Sequence, residues 1–518
     1  MEKRRHPRIT FRESIRVNLG KDNALRFEAR DLNLSGISFY TDQQVDPSDG
    51  RIELLFSPPN GFVDDISDLR YRIAGRVIGR RIDPNTAKPY LAVEFNQNLS
   101  RITQKIYKSR RAKGFLAIFL TLFVIICLKI LNVQYYWYSP LNNFYSLIVT
   151  TYILSRFFFA FFYKTPKVSN YYPTVSFVVP VKNEEAVIAQ TVTNCFSVNY
   201  PKKKLEVIVI NDGSTDNTFR EIQKIKNIYP LLEVVNFEHN QGKRHAMAAG
   251  AKLARGEIIV YVDSDSLIRP NALFYLVQGF RDPHIGAVCG QAYVYNSDEN
   301  ILTKMQEVRY FIAFRVIKAA EHVFSCVTCC SGSLSAYRRE YLMAFIDEWL
   351  NQTFLGMKAT FGDDRSLTNF ILKKHRVLYD ARAEVETVVP STWKKFLRQQ
   401  LRWKKSWFRE SLIASQFMWR KHPIAALAFY TAVLLPLISP FIIALNFVYR
   451  PIFLNQLPLY YTLGFVLISF FYSLYYLVNR PNRKWIYGVY FCLFYMAVLS
   501  WQTYYAIFTS RKNHWGTR

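Results

Sequence analysis

Hydrophobic and polar positions follow three different rhythms along the chain. Up to about residue 105 the apolar residues come in short bursts: Ser14–Leu19, Arg26–Ala29, Ile37–Tyr40, Arg51–Phe56, Tyr71–Ile82 and Tyr90–Phe95. Short strand-like runs at regular spacing, separated by turn residues, predict a small β-barrel over residues 1–105. A basic stretch from Arg101 to Lys113 leads into two long apolar runs. Gly114–Leu131 is interrupted only by Lys129, whose long side chain can snorkel to an interface, and Leu141–Tyr163 is the second. Both are long enough to cross a bilayer, which predicts two spans within residues 114–163.

Over residues 174–389 the pattern changes to buried strands, VSFVVPV, VIVIND, EVVNFE and EIIVYVD, with helical stretches between them. That alternation predicts a mostly parallel sheet covered by helices. Ile301–Phe324 and Ser391–Trp419 mix aromatics with Lys and Arg and predict helices lying at a membrane surface. Apolar spans resume at Pro423–Phe447, Pro458–Val478 and Trp485–Ile507, within residues 423–509. Pro436 and Pro440 sit where they would split the first of these into two crossings, so the pattern predicts five or six spans in all. The loop Asn132–Pro140 lacks Lys and Arg whereas both outer flanks are basic. The positive-inside rule therefore puts the N-terminal barrel and the central domain in the cytoplasm.

Composition sharpens this picture. The 41 Phe and 34 Tyr crowd into the long apolar runs, as expected of a membrane protein with soluble parts. A formal charge of +28 would suit a nucleic-acid binder, but Lys and Arg flanking several spans answer to anionic lipid instead. No nucleic acid is needed. The seven cysteines do not form a disulfide framework; Cys326, Cys329 and Cys330 cluster near His322 but lack a second pair at zinc spacing, which favours a structural role. The opening MEKRRHPR has no apolar core and does not read as a signal peptide.

Candidate chemistry sits in four motifs in a fixed order. VIVIND ends a strand at Asp212, and VYVDSD ends another with Asp263 and Asp265. Open α/β sheets bind ligands at the carboxyl ends of their strands. Two carboxylates one residue apart there can hold Mg²⁺ or Mn²⁺, which favour oxygen ligands, against a diphosphate. FGDDR presents Asp363 and Asp364, and a carboxylate there can deprotonate a sugar hydroxyl. QQLRW presents Gln399, Arg402 and Trp403; the guanidinium can offset a departing diphosphate and the indole can stack on a sugar ring.

These segments, together with VSFVVPVKNE, NQGKRHAMAAG, CSGSLSAYRRE and FGDDRSLTNFIL, resemble the family 2 processive glycosyltransferases over about Thr174–Arg518. Hyaluronan and chitin-oligosaccharide synthases are the nearest in pattern and cellulose synthases more distant, since GDD stands where those carry TED. The resemblance implies a GT-A-type domain in which Asp212, Pro180 and Glu184 shape a uridine pocket and Lys243 and Arg244 lie near the nucleotide. It implies that Asp263 and Asp265 address the diphosphate and metal, and that Asp364 is the general base. Ser331, Gly332 and Asp363 would meet the acceptor, and Gln399, Arg402 and Trp403 would hold the diphosphate and the acceptor end.

KRRHPR places Arg4, Arg5 and Arg8 upstream of DLNLSG, with Asp31, Asn33 and Gly36. Followed by a barrel, this pair resembles the PilZ domain with its RxxxR and [DN]xSxxG motifs, although Asn33 stands where Ser is usual. An arginine arm can clamp phosphates bidentately and stack on guanine. The resemblance implies cyclic di-GMP as an allosteric activator.

The expected whole is a multi-domain membrane protein of the bacterial inner membrane: PilZ barrel, GT-A-type domain, interfacial QxxRW helix at residues 391–419 and α-helical spans. It would build a β-linked polysaccharide from a nucleotide-sugar, most simply a UDP-sugar, with inversion, and pass the growing polysaccharide across the lipid bilayer. Export or accessory subunits fit the same picture. Two alternatives compete: a non-processive transferase acting on a lipid carrier, and a catalytically silent cyclic di-GMP receptor.

Overall fold

The computed structural model describes residues 9–10, 14–18, 24–41, 51–56, 71–84, 86–133 and 140–510. The chain folds as two compact units, residues 1–124 with 470–486 and residues 125–469 with 487–518.

The first unit is built on seven antiparallel strands: β1 (Ile9–Thr10), β2 (Ser14–Asn18), β3 (Ala24–Asn33), β4 (Gly36–Tyr40), β5 (Arg51–Phe56), β6 (Tyr71–Ile82) and β7 (Pro89–Phe95). They pair in the order β1-β3-β2-β5-β6-β7-β4, and β3 pairs again with β4, which closes the barrel and removes its open edges. Period-2 alternation explains the closure: Tyr71 and Ile73 of β6 point inward while Arg72 and Arg76 point out. Ile15, Val17, Leu32, Phe39, Leu54, Tyr71 and Val93 fill the interior. Leu99 is fully buried in the same core and begins the helix Leu99–Val133, which runs without a break into the first apolar stretch. The basic stretch expected before the first span is thus the first part of that helix. Tyr107 Oη donates to the Asn479 carbonyl at 3.2 Å and Arg110 Nη1 to that of Pro481 at 2.6 Å.

The second unit carries the eight-stranded sheet. Its strands are β8 (Val175–Val181), β9 (Leu205–Asp212), β10 (Leu232–Phe237), β11 (Ile258–Tyr261), β12 (Ser266–Ile268), β13 (Ile285–Val294), β14 (Ser335–Arg338) and β17 (Arg376–Thr387), with β15 (Thr353–Phe354) and β16 (Met357–Lys358) forming a separate hairpin. The order is β10-β9-β8-β11-β14-β13-β17-β12. Strands β10, β9, β8 and β11 are parallel, and β14 runs against both its neighbours. All seven residues of β8 and all ten of β13 are buried, as continuous apolar strands covered on both faces require.

Among the described residues five helices are long and apolar enough to span a membrane: Leu99–Leu128, Pro140–Phe161, Pro423–Phe453, Leu459–Asn479 and Arg483–Phe508. The helix from Pro423 continues through Pro436 and Pro440 and through a π-helical turn at Leu445–Tyr449, so the split considered from the sequence does not occur. The two prolines are four residues apart and leave their gaps in the hydrogen-bond ladder on one face. Asn142 and Asn446 exchange amide hydrogen bonds of 2.8 and 3.0 Å between two of these helices.

Candidate active site

Four segments from distant parts of the chain meet at the carboxyl ends of β8, β9 and β11. Asp263 follows β11, and its backbone N–H donates to the Gly332 carbonyl at 3.0 Å. Gly332 N–H in turn donates to Asp364 Oδ2 at 2.9 Å. Gly332 therefore lies between two carboxylates. A Cβ on it would stand 2.9 Å from Asp263 Oδ1 and 2.9 Å from Asp364 Oδ1.

The charges around this glycine are unbalanced. Lys243, first residue of the helix Lys243–Leu253, donates to Asp263 Oδ1 at 2.5 Å. Burial works against its charge, but Asp263, Asp364 and Asp363 outweigh burial and hold the ammonium above the ordinary lysine range. Burial and the neighbouring Asp263 push the Asp265 carboxyl up to about 7, with Lys243 opposing. Burial likewise raises Asp364 against the pull of Lys243. One lysine thus serves a group of carboxylates in a low-dielectric place.

The donor set fits Mg²⁺ or Mn²⁺. Among the described residues no three His, Cys, Asp or Glu side chains are grouped to hold a metal. Asp263 and Asp265 would supply two oxygens, and phosphate and water would complete a shell of the kind Mg²⁺ prefers. Thr387 Oγ1 donates to Asp265 Oδ1 at 3.4 Å from β17.

Asp212 is 2% exposed, and its carboxylate accepts from the backbone N–H groups of Gln241, at 2.7 Å, and Gly242, at 3.0 Å. Expected to meet a uridine, it visibly shapes the loop that delivers Lys243. Pro180 is buried in β8, and Glu184 starts the next loop, its N–H donating to Thr218 Oγ1 at 2.7 Å. Asp363, expected to meet the acceptor, is 4% exposed and ion-paired with Arg244 at 2.8 Å, while its neighbour Asp364 turns to Gly332, because adjacent residues at a helix start point in different directions.

Gln399, Arg402 and Trp403 lie half-buried on the helix Trp393–Met418. Gln399 Oε1 and Arg402 Nε are shielded from solvent with no hydrogen-bond partner. Trp403 stands 6.5 Å, ring to ring, from Tyr310, and the Arg309 guanidinium lies 5.5 Å over the indole and 5.3 Å over Phe491. Tyr310 escaped the sequence reading. Burial pushes its hydroxyl up to about 12, and it feels the charges of Asp263, Asp265 and Arg402 at once.

Beside the Ser331–Gly332 loop, Cys289 of β13 lies 3.2 Å from Lys318 Nζ and 3.8 Å from Ser331 Oγ. Burial alone would raise the Cys289 thiol, but a hydrogen bond with Cys330 and the Lys318 charge outweigh it and bring it to about 5. His322 is removed from this group; its Nδ1 accepts from the Tyr379 N–H at 3.0 Å.

In the barrel, Arg4, Arg5 and Arg8 lie outside the described residues. Asp31 pairs with Arg30 at 2.7 Å, and Arg30 also reaches Asp83 at 2.6 Å and stacks 4.2 Å over Tyr90. Asn33 Oδ1 accepts from the Ser35 N–H at 2.9 Å, and a side chain on Gly36 would stand 2.5 Å from the Val93 carbonyl oxygen. Arg30, Asp83 and Tyr90 were not singled out from the sequence, since β3, β6 and β7 bring them together only in the folded barrel.

Comparison with known proteins agrees with both domains. Residues 176–346 match the family model described as Glycosyl transferase family 2, and residues 2–108 match that of the PilZ domain. A hyaluronan synthase of Streptococcus pyogenes serotype M6 is 32% identical over 412 residues, which is 77% of this chain and 95% of that protein. The chain belongs to the family 2 processive glycosyltransferases and carries an N-terminal PilZ domain. An N-acetylglucosaminyltransferase of Rhizobium meliloti is 36% identical to the transferase over 247 residues, 47% of this chain and 57% of that one. Among solved structures, a mannosyltransferase from Pyrobaculum calidifontis in complex with GDP-Man and Mn²⁺ covers 70% of the transferase and 99% of its own chain, with 19% identity and a TM-score of 0.46.

Proposed function

We propose that this transferase polymerises a sugar from a nucleotide-sugar with inversion, passes the polymer across the membrane and answers to cyclic di-GMP. The observation that carries the reading is Gly332 held between Asp263 and Asp364, with Lys243 on the first carboxylate. That arrangement supports the reading, because Asp263, the Gly332 backbone and Asp364 share one small volume, as a diphosphate site, an acceptor loop and a base would need to.

Asp364 takes the proton from the terminal hydroxyl of the growing chain as that oxygen attacks the anomeric carbon. A single displacement on an α-linked donor leaves a β-linkage. Lys243 and Arg402, the latter with its unpartnered Nε, receive the negative charge of the leaving nucleotide diphosphate. Asp263 and Asp265 would hold a divalent cation, which supplies further neutralisation of that diphosphate when bound. Tyr310 and Trp403 offer ring faces to the acceptor sugars. In the PilZ domain the Asp31, Asn33 and Gly36 turn, with Arg4, Arg5 and Arg8, would bind cyclic di-GMP. Inner-membrane placement with both domains cytoplasmic accords with the basic flanks of the spans.

The names of two relatives, hyaluronan synthase and N-acetylglucosaminyltransferase, put UDP-GlcNAc first among donors to try. The test uses the full chain purified into lipid nanodiscs. UDP-GlcNAc, UDP-GlcNAc with UDP-glucuronate, UDP-glucose and GDP-mannuronate are each supplied with and without cyclic di-GMP. Nucleotide release and product length are followed together. Long polymer that depends on cyclic di-GMP supports the reading; a single-sugar lipid, or no product from any donor, overturns it.

A further inference from the structure

A general base works only if its carboxylate is held in register with the reacting oxygen, and the structure surrounds Asp364 with a buried polar frame. The frame has two arms. On one side Arg244, next to Lys243, donates through Nε to Asp363 Oδ1 at 2.8 Å and through Nη1 to the Trp349 carbonyl and Gln352 Oε1, both at 3.1 Å. On the other side Arg409, on the helix that bears Gln399, Arg402 and Trp403, bonds through Nη2 to the carbonyl of Phe361 and through Nε to Glu410 Oε1 at 2.8 Å. Glu410 joins the arms: Gln352 Nε2 donates to its Oε1 at 3.3 Å and Asn369 Nδ2 to its Oε2 at 3.0 Å. Ser366 Oγ donates to Gln352 Oε1 at 2.6 Å.

All four charges are withdrawn from water: the side chains of Arg244 and Asp363 are 4% exposed, Arg409 5% and Glu410 0%. Burying two ion pairs contributes little or nothing to stability relative to apolar side chains of the same size. Arg244 even leaves Nη2 buried without a partner. What such a network supplies is a fixed orientation of its members.

We infer that Arg244 and the Arg409–Glu410 pair are positioning residues of the transfer step, acting through Asp363 and the Phe361–Gly362 peptide on the general base Asp364. The inference rests on the reading of Asp364 as that base. Turning Asp363 inward onto Arg244 sends its neighbour Asp364 toward Gly332. Gripping the Phe361 carbonyl fixes where the base-bearing helix Asp363–Lys374 begins. The frame links the helix whose Lys243 holds Asp263 to the helix of the QxxRW motif, so donor side, base and acceptor side share one set of hydrogen bonds.

The experiment compares Arg244→Ala, Arg244→Lys and Glu410→Gln, alone and on an Asp364→Asn background, in the full chain in nanodiscs. UDP binding is measured by calorimetry, and UDP release is measured from UDP-GlcNAc with UDP-glucuronate. Misplacing a catalytic group by about 1 Å costs about 10²-fold. The expected result is a kcat loss of about 10- to 100-fold for Arg244→Ala and Glu410→Gln. UDP affinity and KM should stay within about threefold, with partial recovery in Arg244→Lys. On the Asp364→Asn background the same changes should add less than about twofold, because they act through the group already removed. Full multiplication of the losses there, or an effect confined to KM, overturns the inference. Should Arg244→Ala fail to bind UDP for want of a fold, the pair Arg244→Leu with Asp363→Leu removes both buried charges together. Wild-type kcat in that folded pair overturns it equally. An Asp364→Asn protein that keeps more than half of wild-type turnover would instead overturn the base reading itself.

Discussion

Replacing Gly332 by alanine probes the geometry on which the transferase reading stands. The new methyl would sit 2.9 Å from Asp263 Oδ1, 2.9 Å from Asp364 Oδ1 and 3.0 Å from Asp263 Oδ2. Real Cβ–oxygen contacts need about 3.2–3.4 Å, so each carboxylate must yield by roughly 0.3–0.5 Å, in opposite directions. Overpacking of this size costs about 1–3 kcal/mol in a closed core, and less where side chains border an opening. The chemical cost is larger. The separation between the diphosphate side and the base grows by roughly 0.6–1.0 Å, which predicts a fall in kcat of about 10- to 100-fold, or roughly 1.4–2.7 kcal/mol. The Asp212 carboxylate keeps its own bonds to Gln241 and Gly242, so UDP affinity should fall far less than kcat, any loss coming from the displaced Asp263. Steady-state UDP release gives kcat, calorimetry gives UDP affinity, and a thermal melt confirms folding. A folded Gly332→Ala protein with kcat within threefold of wild type would refute the claim that Asp263 and Asp364 close on this glycine to do chemistry.

Four further outcomes are expected. Gly362→Ala places a side chain at φ +79°, with its Cβ 2.5 Å from Ser406 Cβ; a stability loss of about 2–5 kcal/mol should appear in thermal unfolding and be relieved in part by Ser406→Gly. Burial lowers His322 from an ordinary 6.5 to about 4, so the unfolded chain takes up a proton first as pH falls through that window. Stability should drop by about 2 kcal/mol between pH 7 and pH 5, and His322→Gln should flatten the curve. A chelator in excess should abolish nucleotide release and added Mg²⁺ or Mn²⁺ restore it; unchanged turnover would remove the metal from Asp263 and Asp265. Arg4→Ala with Arg8→Ala should weaken cyclic di-GMP binding by roughly two to four orders of magnitude in a titration, while UDP binding stays unchanged.

Much of this architecture is legible in the chain because its signals are local. Strand alternation in the barrel, continuous apolar strands in the central sheet and carboxylates at strand ends all follow from neighbours a few residues apart. Asp263, Gly332 and Asp364 were therefore found by motif, and the fold brings them together. That Asp363 pairs with Arg244 was not legible in the motif, because the partner lies 119 residues earlier in the chain. Arg30 was passed over for the same reason, since its partner Asp83 lies 53 residues away. Pro436 and Pro440 suggested a break because proline removes a ladder hydrogen bond. The helix survives because both gaps fall on one face.

The helix that leaves the barrel at Leu99 has a mechanical meaning. Its first residue is locked in the barrel core and Thr103 is buried against Tyr71 Oη, while the same rod continues into an apolar span. The helix is continuous from Leu99 to Val133. A rod of 35 residues at about 1.5 Å per residue is roughly 50 Å long, so a tilt of about 5° at its root sweeps its tip by about 4 Å. Tyr107 and Arg110 bond it to the carbonyls of Asn479 and Pro481 within the same unit. A tilt at Leu99 therefore displaces the far end of this one helix more than its first turn.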